Sequence, residues 1–111
     1  MNSQFGLDPK QFRFIQERVV RPLELMGAEV WCFGSRATRT HRDFSDLDLM
    51  ICGADDSIRP LVGQIQESLI ESSFPFKVDL VLLQDFACSY RARFESEKVR
   101  FPAMDHKHIT R

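Results

Sequence analysis

Apolar and polar positions alternate along this chain in blocks of two different periods. Asp8-Pro9-Lys10-Gln11 reads as a helix start: Asp8 can cap, Pro9 suits the first turn, and Gln11 can close a capping box. Apolar Phe12, Ile15, Val19, Leu23 and Met26 then recur on one helical face. Pro22 interrupts that face and predicts a kink or a broken last turn, and Gly27 predicts the stop. Residues 28–33, apolar apart from Glu29, read as a short buried strand. A helix of one or two turns is expected over 35–40, then a polar loop over 41–45. Leu47, Leu49 and Ile51 alternate with Asp46, Asp48, Met50 and Cys52, which predicts a strand with one apolar and one acid-bearing face.

The second half repeats these themes. Residues 53–57 form a turn ending in cap residues, and Ile58, Leu61, Val62, Ile65 and Leu69 mark an amphipathic helix with Pro60 in its first turn. Residues 72–75 break it, and 76–83 form a third strand in which Asp79 is the sole carboxylate. Asp85 is placed to cap a last helix over 86–97, with Phe86, Tyr90 and Phe94 every four residues. From Lys98 no period is visible. The expected order is α-β-α-β-α-β-α, an α/β (α+β) domain over 1–97 with a tail over 98–111. Its mixed sheet should have three or four strands and helices on one side.

Composition narrows the class. The 111 residues suffice for one core, and 43% hydrophobic with 28% charged residues is ordinary for a soluble domain. A formal net charge of −1 argues against a protein whose main partner is nucleic acid. Cys32, Cys52 and Cys88 sit inside apolar runs, as small core residues of a reducing compartment do, and not as a disulfide frame or zinc site. No signal peptide and no membrane-length apolar run is evident, so a cytoplasmic location is expected.

The chemistry is concentrated in two short stretches, Phe33-Gly34-Ser35-Arg36 and Ser45-Asp46-Leu47-Asp48-Leu49. On a strand, Asp46 and Asp48 share a face with backbones about 6.5 Å apart and can share cations. Gly34 lets the backbone approach a ligand closely, and the helix start after it presents unpaired N–H groups to phosphate oxygens. A phosphate cradle beside a carboxylate pair suits metal-assisted phosphoryl transfer. Asp79 is costly to bury in a central strand unless a cation or hydrogen bonds satisfy it, the plainer alternative being a bond to backbone or Lys77. Arg36 and Arg39, three apart, could reach phosphates together. His41 reads as solvent-facing, His106 and His108 as part of the tail, Trp31 and the phenylalanines as core, and no residue is assigned to a base.

Gly-Ser, ten residues, then Asp-x-Asp resembles the signature of nucleotidyltransferases with a polymerase-β type palm. With Ala37 and Arg39 included, it looks like the minimal nucleotidyltransferase branch, whose members are often antitoxins paired with HEPN-domain toxins. Where that branch commonly carries glycine after the second arginine, this chain has Thr40. The resemblance implies that Asp46 and Asp48 bind two Mg²⁺ ions and that Asp79 helps hold the one activating the acceptor. It implies that Ser35, with Gly34, Arg36 and Arg39, binds the nucleotide. It further implies ATP as donor and adenylylation of a partner protein, a tyrosine-bearing HEPN toxin. The rival readings are an antitoxin that neutralises its partner by docking alone and a nucleotide sensor that binds without transferring.

Overall fold

The computed structural model describes residues 4–103; the end of the chain, with His106 and His108, lies outside them. The first helical stretch starts as its sequence dictates. Asp8 accepts from Gln11 N (2.7 Å) and Gln11 Oε1 accepts from Asp8 N (3.0 Å), completing the capping box at the head of α1 (Pro9–Ile15). Pro22 does not break this stretch. It is preceded by a π turn, Gln16–Val20, before α2 (Arg21–Leu25). Pro22 has no N–H for the carbonyl four residues back, and the wider turn re-aims the bonds, with Arg21 N–H donating to Gln16 O. The extra residue in the turn also moves the buried face. Val19 and Val20 are both buried, whereas Met26, expected on that face, is 58% exposed in the turn that Gly27 (φ 89°) completes.

Strands β1 (Glu29–Phe33), β2 (Leu47–Cys52), β3 (Val78–Leu82) and β4 (Val99–Arg100) form one sheet in the order β3-β2-β1-β4. β1 is antiparallel to β2 and to β4, and β2 is parallel to β3. Between β1 and β2 lies the single turn α3 (Ser35–Thr38), and β2 reaches β3 through α4 (Arg59–Glu71), as parallel pairing requires. Val30, Cys32, Leu49 and Ile51 on one face of the sheet meet Ile15, Val19, Leu23 and Ile65 of the helices in the main core. The result is the mixed α/β architecture that the sequence predicts.

Several details depart from expectation. The last helix is short, α5 (Arg91–Glu97), because Phe86 and Ala87 are extended and only a 3₁₀ turn, Cys88–Tyr90, precedes it. Asp85 does not cap it, since both its oxygens accept from Arg59 at 2.7 and 2.8 Å. α5 also packs on the other face of the sheet, with Phe94 buried edge-on against Phe33 (5.7 Å), so helices cover both sides. β3 is an edge strand, not a central one. The stretch after Lys98 is not all tail: Val99 pairs with Cys32, Arg100 with Trp31, and Phe101 is fully buried against Phe5 and Phe12. Trp31 is half-buried under Lys98 and Arg100 on the outer face, and Cys88 is exposed.

Candidate active site

The site is built where β1 ends. Pairing sets Phe33 opposite Asp48, and Asp48 opposite Asp79 on the parallel neighbour. The chain then turns at Gly34 with φ 76° and ψ −157°, a conformation that side chains other than hydrogen rarely adopt. A Cβ at Gly34 would lie 2.7 Å from Asp48 Oδ2, so the missing side chain is what lets the loop sit on the carboxylate. Ser35 follows directly, half-buried, at the start of α3. The structure thus brings the Gly34-Ser35 turn beside Asp48.

Asp46 lies just ahead of β2 and is exposed, Asp48 is half-buried within it, and Asp79 shares the same sheet face. Burial, then the negative charges of Asp79 and Asp46, push the Asp48 carboxyl up to about 6, with Lys77 acting the other way. Asp79 is half-exposed, and its Oδ1 lies 3.4 Å from Lys77 Nζ. The expectation that Asp79 bears the cost of burial is thus corrected: an edge strand leaves it in contact with solvent, and Asp48 bears that cost instead. Among the described residues no three His, Cys, Asp or Glu side chains converge on one ion position. The donors nevertheless fit a hard divalent cation in chemistry: Asp46, Asp48 and Asp79 offer carboxylate oxygens only.

The two arginines separate. Arg36 is 2% exposed, and its guanidinium donates to Ser45 O (3.0 Å) and Phe5 O (2.9 Å), with Gly6 O at 3.4 Å, while stacking over Phe76 at 4.0 Å. It does not join Arg39 on a phosphate tail; it ties α3 to the N-terminal segment and to the residue before Asp46. Sequence spacing could not show this, because two of the three carbonyls come from residues about thirty positions away. Arg39 is exposed and takes the left-handed conformation that ends α3 (φ 64°), one residue before Thr40, where the departure from the family pattern lay. His41 is half-buried against Gly6 and Arg36, not facing solvent, and its Nδ1 has no hydrogen-bond partner. Beside Gly34 and Ser35 a cavity of about 280 Å³ opens between α3 and α5 and brings in Tyr90 and Arg93, which the sequence reading had left without a role.

The nucleotidyltransferase-domain family matches residues 13–102, and the chain belongs to that family. Its fold is similar to two solved structures. One is a toxin–antitoxin with AMP-PNP, at TM-score 0.56 and 16% identity, covering 82% of this chain and 75% of that one. The other is the toxin–antitoxin MntA–HpeT carrying two Asp-to-Glu mutations, at TM-score 0.54 and 15% identity with the same coverage. At such identities the likeness is one of fold. No curated protein matches.

Proposed function

We propose that this nucleotidyltransferase transfers AMP from ATP to a hydroxyl of a separate protein, as the antitoxin of a toxin–antitoxin pair whose toxin carries a HEPN domain. The observation that carries the reading is the close approach of Gly34 to Asp48, which puts a backbone loop fit for phosphates directly beside a carboxylate. The solved toxin–antitoxin structures of the same fold, one with AMP-PNP, support the nucleotide and the setting.

Asp46 and Asp48, with Asp79, would hold Mg²⁺, which when bound stabilises charge on both attacking and leaving oxygens. Gly34 brings backbone close to the phosphates, and the Ser35 hydroxyl donates to a phosphate oxygen. The acceptor oxygen bonds to the α-phosphorus, the bond from that phosphorus to the bridging oxygen breaks, and pyrophosphate leaves. The acceptor's proton passes to a base, and Asp79, half-exposed beside Asp48 on the acid-bearing face, is proposed for that role. In this reading the acceptor protein itself supplies the surface that holds its hydroxyl in line with the α-phosphorus.

Incubation of the chain with a co-purifying partner, α-³²P-ATP and Mg²⁺ tests this. Label should appear on the partner and vanish with Asp46→Asn/Asp48→Asn. If that variant silences the toxin as well as the wild type does, and no label forms, the antitoxin acts by docking alone.

A further inference from the structure

The carboxylates and the loop account for phosphates but leave the rest of a nucleotide without a place. The acid-bearing face runs past Phe33 into the cavity of about 280 Å³ between α3 and α5. Its two walls differ in chemistry. One carries the hydroxyls of Ser35, Thr38 and Thr40; the other carries the rings of Tyr90 and Phe94 and the guanidinium of Arg93. The aromatic wall is braced from behind: Phe94 is buried edge-on to Phe33 at 5.7 Å and to Phe86 at 6.2 Å. Tyr90 leans on Phe86 at 6.1 Å, yet 60% of its surface stays exposed. Arg93 is held at the same wall by its Nε bond to Glu97 (2.9 Å).

We propose that this cavity is the nucleobase and ribose subsite, with Tyr90 as the stacking face and Arg93 beside it. The assignment rests on the proposed function, which puts the phosphates at Gly34 and Ser35. A braced aromatic ring with an open face one wall away from a phosphate loop offers what a base needs, since every base has a π face to stack. The volume lies near the lower end of the roughly 300–1,000 Å³ of small-molecule pockets, which suits one nucleoside better than a peptide. The hydroxyl wall then faces the sugar.

Tyr90 is the only tyrosine in the chain, so 3-fluorotyrosine labelling gives one ¹⁹F resonance to follow. Addition of ATP with Mg²⁺ should shift that resonance, and inorganic tripolyphosphate with Mg²⁺ should leave it in place. Tyr90→Ala should weaken ATP about tenfold or more while tripolyphosphate affinity holds, and Tyr90→Phe should retain both. If the wild type binds ATP without moving the resonance and Tyr90→Ala binds it equally well, the subsite lies elsewhere while the proposed function stands. An equal loss of both ligands in Tyr90→Ala would mean that Tyr90 only shapes the loop, which also overturns the assignment. Failure of the wild type to bind ATP at all would overturn the proposed function and the subsite together.

Discussion

At Asp48 the proposed metal site comes at the expense of the fold. Burial, then the charges of Asp79 and Asp46, push the Asp48 carboxyl up to about 6 from an ordinary 3.8. The folded chain therefore binds this proton more readily than the unfolded one. Its contribution to stability is fully present below about 3.8 and is lost as pH rises through about 6. Asn at the same position carries no charge at any pH. In chelator at pH 7–8, Asp48→Asn should unfold at a higher urea concentration than the wild type, and the gap should narrow as pH falls through about 6 and close near 3.8. Urea midpoints measured across that range check this, and a constant gap or a lower midpoint for the variant would count against it. Transfer activity should be lost in the same variant. The glycine turn at Gly34 and the alternating strand that carries Asp48 were legible because both are local features; their meeting was expected only from the family resemblance. The burial of Arg36 was not legible, because it depends on Phe5 and Gly6 arriving from a distant segment.

At the scale of elements, legibility follows length and period. The capping box and the amphipathic faces of α1 and α4 announce themselves over several turns. Pro22 signals a disturbance but not its form, since kink and π turn answer the same missing donor. Asp85 misleads because an acid before a helix-like run can equally pair with an arginine, here Arg59. β4 is two residues long and has no period to detect, yet it delivers Phe101 into the core. There Phe101 stacks between Phe5 and Phe12, at 5.0 and 4.9 Å, and its N–H donates to Val30 O (2.9 Å). It closes the core from the far end of the chain. Phe101→Ala should therefore cost roughly 3–5 kcal/mol, the range for emptying a buried phenylalanine site. Denaturant unfolding reads this directly. A loss below about 1 kcal/mol, the usual size for a surface change, would mean that the last strand is dispensable to the fold.

The whole molecule has to manage two sheet edges, and it treats them differently. β4 at one edge is too short to template another strand, and its Arg100 is bonded to Glu24 at 3.0 Å. β3 at the other edge is longer, five residues of Val, Asp and Leu. Leu47 N donates to Lys77 O, so odd-numbered residues of this stretch bond inward to β2, and Val78 and Leu80 turn their backbone groups outward. Those outward groups are met by one side chain from α4. Gln66 Nε2 donates to Val78 O (2.7 Å), and Gln66 Oε1 accepts from Leu80 N (3.2 Å). A single amide thus imitates the next strand and blocks the edge at its middle. Cavities of about 520 and 380 Å³ flank it, walled in part by Leu69 and Phe74 on one side and by Val62 and Leu82 on the other. Removal of the plug would expose a continuous strand edge bordered by apolar surface. Gln66→Ala should lose on the order of 1–2 kcal/mol for the pair of bonds. It should also associate more than the wild type at equal concentration, by pairing β3 of one copy with an edge of another. Light scattering across a concentration series distinguishes the two effects. A destabilised variant whose mass stays that of the wild type would show that Gln66 stabilises the fold without guarding its edge.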